Sequence, residues 1–460
     1  MEGLEIKEKK LYEVLSNKDF RIDSSFYTKE PKKNPDLIYA KIGEHLISSQ
    51  YGISIEMNTD SVGYPIYRMN EIHDMLCDLD VDKCADITQA EYDRFALKDR
   101  DVLFNRTNSF EWVGRTGIYY QNDDIQRTFA SYLVRLNPKD SILPEYLCAY
   151  LNCKYGEWDV KRRARQSINQ TNVNPEEVKE IEIPILDIDL QQKIRCCFTQ
   201  ANSLRILSQK TYSEAKLILH NGLGVNSVAV TDVNVSQKRF SDFINSGRLD
   251  AEYYQPKYDD LFSRLSKFET KRLGDIVQIR KSIEPGSEAY QNKGIPFIRV
   301  SNLSKFGFSD TEIHLSPDEY GDVIRPKQNT ILLSKDGSVG IAYKVEQDMN
   351  VITSGAILHL TITDNEFMPD YLTLVLNSVI VGMQAERDAG GSIIQHWKPS
   401  EIENVIIPKL SQEIQQEITN KVKESFALRR ESKRLLNLAK TAVEIAIEQG
   451  ENAALRLLDR

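Results

Sequence analysis

The stretch Lys161-Arg162-Arg163-Ala164-Arg165-Gln166-Ser167-Ile168-Asn169-Gln170-Thr171-Asn172 sets four cations within five residues, directly ahead of a run of side-chain amides. Cations at that density neutralise phosphates, and Gln166, Asn169 and Gln170 carry the paired donor and acceptor that match an adenine edge in a major groove. The plain alternative is a solvated basic helix end followed by a polar loop. A second stretch, Ser334-Lys335-Asp336-Gly337-Ser338-Val339-Gly340, has glycines that let the backbone approach a partner and a lysine able to reach phosphate or guanine. Its counterpart is Asn105-Arg106-Thr107-Asn108-Ser109-Phe110-Glu111-Trp112-Val113-Gly114, three residues longer. The bland reading of both is a hairpin with a charged corner. In the second half the basic run aligns with Glu386-Arg387-Asp388-Ala389-Gly390, which lacks its cationic density, and Arg280, Lys281, Lys293, Lys335, His396 and Lys398 are the available substitutes. The contact candidates are therefore Arg106, Asn108, Lys161, Arg162, Arg163, Arg165, Gln166, Asn169 and Gln170 in the first half. In the second they are Arg280, Lys281, Lys335, Ser338, Gln395, His396 and Lys398. Divergence at these positions suggests that each half reads a different sequence.

Catalytic patterns are missing. No Gly-x-x-x-x-Gly-Lys-Ser/Thr phosphate loop occurs. The Asn-Pro pairs at Asn34, Asn137 and Asn174 are followed by Asp, Lys and Glu, unlike the Asn-Pro-Pro-aromatic motif of amino-methyltransferases. Glu177-Val178-Lys179 has the Glu-x-Lys form of some nucleases, but so do the segments at Glu5, Glu8, Glu30, Glu269 and Glu431, so the pattern carries no information. The histidines and the six cysteines, all in the first half, show no metal-binding spacing. The expectation is a binding protein without catalytic residues, metal or cofactor of its own.

These candidates must be positioned by elements that occur twice. Arg21-Ile22-Asp23 leading to Phe26-Tyr27 returns as Arg248-Leu249-Asp250 leading to Tyr253-Tyr254. Pro65-Ile66-Tyr67-Arg68 returns as Pro296-Phe297-Ile298-Arg299, and Pro144-Glu145-Tyr146-Leu147 as Pro369-Asp370-Tyr371-Leu372. Ser167-Ile168-Asn169-Gln170 matches Ser392-Ile393-Ile394-Gln395, and Ile183-Pro184 with Gln191-Gln192 matches Ile407-Pro408 with Gln415-Gln416. Tyr371 follows Tyr146 by 225 positions, an interval suited to a whole domain plus connector rather than a solenoid repeat. Within each half, short β-branched and aromatic runs such as Ile295–Val300 and Thr330–Ser334 read as strands of a twisted sheet, with helices from Pro144 to Gly156 and from Pro369 to Gly382. Leu190, Ile194, Cys197, Ala201, Leu204, Ser208, Thr211, Ala215 and Ile218 then keep a four-three spacing, the mark of a coiled-coil seam on a helix roughly 45 Å long. Asn221-Gly222-Leu223-Gly224 should stop it, with Val225–Gln237 as a loose link. A C-terminal stripe runs through Ile414, Ile418, Val422 and Phe426 and, after a phase slip, Leu428, Leu435, Leu438, Ala442 and Ile445. Antiparallel pairing of the two stripes is the simplest way to bury both.

Composition permits this plan. The 460 residues, 41% hydrophobic and 9% aromatic, suffice for two cores, and no apolar run is long enough to cross a bilayer. The N-terminal residues lack the basic start and apolar core of a signal peptide, which predicts a cytoplasmic protein. A net charge of −9 argues against a naked nucleic-acid binder unless the cations cluster.

Taken in order, the Arg248-Leu249-Asp250 motif, the Gly337-Ser338-Val339-Gly340 turn, Pro369-Asp370-Tyr371-Leu372, Gly391-Ser392-Ile393-Ile394-Gln395 and Ile406-Ile407-Pro408 ahead of Gln415-Gln416 make the chain resemble the specificity subunit of a type I restriction-modification system. The resemblance covers nearly the whole chain. It implies an α+β protein with two tandem target-recognition-type α/β domains, separated by two long helices in an antiparallel coiled coil with pseudo-two-fold symmetry. The implied boundaries are 1–185 and 248–410 for the domains, 186–224 and 411–460 for the helices, and 225–247 for the linker. It further implies that each domain reads half of a bipartite double-stranded DNA target, that the helices act as spacer and dock methyltransferase (modification) subunits, and that restriction subunits complete the complex. S-adenosylmethionine, ATP and Mg would then belong to those partners. A scaffold or decoy that binds the same subunits without reading DNA is the alternative.

Overall fold

The computed structural model describes residues 6–15, 21–31, 33–168, 170–224, 235–390 and 395–459. Its contacts group into two units, one of Met1–Leu207 with Leu428–Arg460, the other of Ser208–Ala427.

In the first unit, strands Leu46–Tyr51 (β1), Asp101–Asn105 (β2), Thr116–Tyr119 (β4) and Leu133–Pro138 (β5) form an antiparallel set in the order β1-β5-β2-β4, with a short strand Thr107–Asn108 (β3) continuing beyond β2. Two further short strands, Leu76–Cys77 and Ile72–His73, extend the sheet past β4. Val102, Leu103 and Phe104 are fully buried, as expected of a central strand covered on both faces. Helices Pro144–Asn152 (α1) and Lys154–Arg163 (α2) supply Tyr146, Leu147, Val160 and their neighbours to this core. The single helix expected to run from Pro144 to Gly156 is thus two. The chain turns at Cys153, which is extended (φ −77°, ψ 163°), and a Cβ on Gly156 would lie 2.0 Å from the Tyr150 carbonyl oxygen, so glycine is needed where α2 folds back on α1. Beyond α2 come strands Arg165–Gln166 (β6) and Thr171–Asn172 (β7) and the long helix Ile188–Gly222 (α3).

The second unit repeats the plan: Val277–Lys281 (β8), Ile331–Ser334 (β9), Ala342–Lys344 (β10) and Ile357–Ile362 (β11) form an antiparallel sheet in the order β8-β11-β9-β10. Helices Pro369–Leu376 (α4) and Val379–Asp388 (α5) again replace one expected helix. Helix Gln412–Gln449 (α6) follows. Gly450, at φ 85°, ends it before Glu451–Leu458 (α7), so the anticipated continuous C-terminal helix is interrupted.

The repeated motifs make the same bonds in each unit. Arg21 grips Asp23 and donates to the Arg163 carbonyl (3.2 Å) at the end of α2, and Arg248 grips Asp250 and donates to the Asp388 carbonyl (3.1 Å) at the end of α5. Cations at helix C-termini satisfy carbonyls that have no partner within the helix. Tyr27 and Tyr254 donate to the carbonyls of Arg21 and Arg248. Tyr146 and Tyr371 donate to those of Pro184 and Pro408. Gln191 accepts from the Leu143 amide (2.8 Å) and Gln415 from the Met368 amide (2.9 Å), fastening the start of each long helix to its own domain.

The four-three stripe of α3 is buried or half-buried at each position named above. On α6 the expected Ile418, Val422, Phe426, Leu435 and Ala442 are buried and Ile414, Leu428, Leu438 and Ile445 half-buried, while Gln415, Thr419, Ser425, Ser432, Leu436, Ala439, Val443, Ala446 and Ile447 are buried as well. A second line, Gln415, Ile418, Val422, Ser425, half-buried Arg429, Ser432, Leu436, Ala439, Val443 and Ala446, keeps the four-three spacing through the place of the expected slip. Two serines, invisible to a hydrophobic count, hold the heptad. In the first unit Ser432 donates to the Ala201 carbonyl (2.7 Å); in the second Ser208 and Ser425 donate to each other's carbonyls (2.8 Å each), and Lys421 pairs with Glu214 (2.7 Å). Partner numbers rise on α3 as they fall on α6, so the pairing is antiparallel.

Candidate nucleic-acid interface

In the first unit the two candidate stretches, some 60 residues apart in the chain, become one three-stranded ribbon: β3 pairs with β7, and β7 with β6. Thr107 donates to the Asn172 side chain (2.6 Å), and the Val173 amide to the Arg106 carbonyl (2.9 Å). The β6–β7 hairpin is closed by the Ser167 amide and hydroxyl, which both donate to the Gln170 carbonyl. Arg165, Gln166, Ile168 and Gln170 are exposed on it; Asn169 lies outside the described residues. Arg106 is half-buried with its guanidinium 5.1 Å from the Tyr51 ring centre, and the half-buried Asn108 accepts from the Ser109 amide.

The rest of the basic run points inward. The Lys161 ammonium donates to the carbonyls of Phe110 and Glu111, pinning the three-residue insertion. Arg162 bonds Asp159 and the Phe26 carbonyl (2.8 Å), and its guanidinium lies 4.4 Å from the Phe26 ring centre. Arg163, 5% exposed, also bonds Asp159, itself 4% exposed, and burial lowers the Arg163 pKa against the pull of that carboxylate. Lys161, Arg162 and Arg163 therefore spend their donors on the fold and drop out as an outward phosphate surface; Arg165, 52% exposed in its side chain, remains. Asp159 was the overlooked signal, three and four residues before Arg162 and Arg163 on one helix face.

In the second unit the same ribbon is reduced to bridges between Asp336 and His396 and between Gly390 and His396. The Gly337 amide donates to the Gln395 carbonyl (3.0 Å), and the Trp397 amide to the Lys335 carbonyl (2.8 Å). Trp397 is thereby the equivalent of Val173, one residue out of register with the sequence match of Gln170 to Gln395, and as a fully buried ring it anchors the loop. Asp336 takes bonds from Lys335 and His396 (2.9 Å); burial pushes its carboxyl pKa up, but these two bonds outweigh it and the net shift is downward. Lys335 is consequently half-buried and ion-paired, whereas Ser338, Gln395, His396 and Lys398 are exposed. Gly337 and Gly340 adopt φ 73° and 87°, which bends the loop after β9 back to the Ser334 carbonyl. Lys281 is exposed at the end of β8, while the neighbouring Arg280 lines a separate cavity beside His359. Residues 391–394 lie outside the described residues. Among the described residues no group of His, Cys, Asp and Glu is arranged to hold a metal ion, and no helix is long and apolar enough to cross a membrane.

Residues 266–436 match the family model of the type I restriction modification DNA specificity domain. That stretch of the second half is similar to the type I specificity domain. A putative type I restriction enzyme MjaX specificity subunit of Methanocaldococcus jannaschii is 29% identical over 145 residues, 31% of this chain and 34% of that protein. The EcoKI specificity subunit of Escherichia coli K12 is 23% identical over 144 residues, 31% of each chain. The MjaIX specificity subunit of M. jannaschii is 26% identical over 291 residues, 59% of this chain and 60% of its own. The chain thus spans about a third of the length of the first two relatives it matches. Among solved structures, a type I restriction-modification S subunit from M. genitalium is 13% identical, covers 94% of this chain and 97% of its own, and has a TM-score of 0.35. The corresponding subunit from Thermoanaerobacter tengcongensis is 13% identical with 91% and 98% coverage and a TM-score of 0.29. The family model matches within the second half of the chain, and the same Arg, Tyr and Gln bonds recur in the first half.

Proposed function

We propose that this chain is the non-catalytic, sequence-reading subunit of a type I restriction-modification complex, each unit reading one half of a bipartite double-stranded DNA target. The carrying observation is that, in both units, the turn at the end of a central strand and the loop after the second helix are hydrogen-bonded side by side. That pairing presents Arg165, Gln166 and Gln170 in one unit, and Ser338, Gln395, His396 and Lys398 in the other, as exposed polar groups of the kind that bond base edges and phosphates. Side chains differ between the two readers, while the Val173 amide bond to Arg106 and the Trp397 amide bond to Lys335 hold loop and turn together in both, as expected if each reads different bases. The long helices serve as spacer and as docking sites for methyltransferase subunits, and restriction subunits, with the S-adenosylmethionine, ATP and Mg chemistry, belong to the partners. Replacing residues 1–185 with the matching segment of another specificity subunit, and sequencing modified bases in cells that also carry the cognate methyltransferase, tests this. One half of the target should change and the other persist; a target altered in both halves, or in neither, contradicts the reading.

A further inference from the structure

The second unit contains a cavity of about 610 Å³ that the nucleic-acid reading does not use, of a size that suits a small organic ligand. It lies on the sheet face that carries Arg280 and His359, neighbours across β8 and β11, and extends to Thr330 at the start of β9, the end remote from Lys335. Three observations mark it as built for a polar guest. His359 is 1% exposed, and while its Nε2 shares a hydrogen bond with Thr353 (2.8 Å), its buried Nδ1 has no partner among the described residues. An unpartnered buried ring nitrogen is unfavourable unless something supplies the missing bond. Exposed Arg280, Asn329 and Asn365 line the same space, and none of their side chains has a hydrogen bond or ion pair among the described residues. Phe367 adds an apolar wall.

The third observation is the first unit. By strand register Arg135 occupies the place of His359, Gln50 that of Arg280, and Asp101 that of Thr330. There Arg135 pairs with Asp101 (2.9 Å) and donates to Gln50, so the charged pair fills the equivalent space. The second unit has exchanged a self-satisfied plug for a shorter ring and a threonine, leaving both room and unspent donors.

We infer that this cavity binds a nucleoside monophosphate or a close heterocyclic phosphate ester, with the phosphate on Arg280 and the edge of the heterocycle toward Asn329, Asn365 and His359. A guanidinium suits a phosphate, and side-chain amides and a neutral imidazole suit ring edges. The inference does not depend on the proposed DNA reading. Phe367 adjoins Met368, whose amide is held by Gln415 of α6, so the site touches the anchor of a long helix.

Isothermal titration of the full chain with AMP, GMP, CMP and UMP, and with adenosine and inorganic phosphate alone, tests it. At least one monophosphate should bind saturably at one site per chain, with adenosine and inorganic phosphate each at least tenfold weaker. Thr330→Asp with His359→Arg places the ion pair of the first unit in this space and should abolish binding while the chain stays folded, as read by its thermal unfolding transition. Arg280→Gln should weaken monophosphate binding at least tenfold and leave adenosine binding as it was; this exposed position decides the matter if the double variant is unstable. The inference is overturned by absence of saturable binding at millimolar monophosphate, by binding that survives either variant, by inorganic phosphate binding as tightly as the monophosphate, or by displacement of the bound nucleotide by duplex DNA.

Discussion

Arg163→Met and Arg165→Ala separate the two roles that a run of basic residues can have. Arg163 and Asp159 are 5% and 4% exposed and hydrogen-bonded to each other, so removing the guanidinium strips a buried carboxylate of one of its two cationic partners. Breaking a buried pair outright costs about 3–5 kcal/mol; because Arg162 stays on Asp159, the lower end, about 3 kcal/mol, is the figure for Arg163→Met. For a unit of this size that is a fall of roughly 6–12 °C in melting temperature. Arg165 is 52% exposed, with Glu177 at 3.4 Å, and an exposed pair of that kind contributes at most about 1 kcal/mol. Its loss should barely move the melting temperature but remove one phosphate contact, reducing the slope of log K against log salt by about 0.9. The assay is thermal unfolding of the full chain, beside DNA binding of the assembled complex across a salt series at a temperature where both variants are folded. If Arg163→Met leaves the melting temperature unchanged and flattens the salt slope while Arg165→Ala does not flatten it, Arg163 is no structural cation and Arg165 no phosphate contact.

Burial holds the pKa of His359 down to about 4, below the ordinary 6.5, so between those pH values the unfolded chain takes up a proton that the folded chain refuses. Stability should therefore fall as pH drops from 6.5 to 4, by about 3 kcal/mol from this residue, seen as a shrinking difference between wild type and His359→Gln in denaturant titrations. Gln415→Ala should leave the amide of half-buried Met368 without its side-chain partner, lower stability by about 1 kcal/mol and speed hydrogen exchange at that amide, with Gln191→Ala acting likewise at half-buried Leu143. Deleting one heptad from each of α3 and α6 keeps the seam in phase and should shorten the unread spacer of the target; modified-base sequencing that finds the original spacer would reject the spacer role.

Much of this architecture was legible in the chain because it rests on local rules and on duplication. The seam of α3 obeys a four-three period that any helix must convert into one face, and Tyr146 with Tyr371, or Gln191 with Gln415, stand out because two copies preserve the same bonds. The apolar stripe of α6 leaves out Ser425 and Ser432, since hydroxyls that bond the facing backbone are as buried as leucine but do not count as apolar. Periodicity also ran α1 into α2, because a single extended residue at Cys153 leaves the apolar pattern on both sides intact.

The amino-acid sequence alone determined that two related α+β units recur with long helices and without catalytic patterns, because period, spacing and repetition are properties of a string. Which cations face outward was decided only by tertiary structure. Lys161 finds the carbonyls of Phe110 and Glu111, and Arg162 finds Phe26, across separations of 50 residues or more. The space at His359 likewise depends on which side chains stand opposite it on neighbouring strands. Charge and volume are consumed by partners distant in the chain, and no local pattern announces which partners the fold will bring.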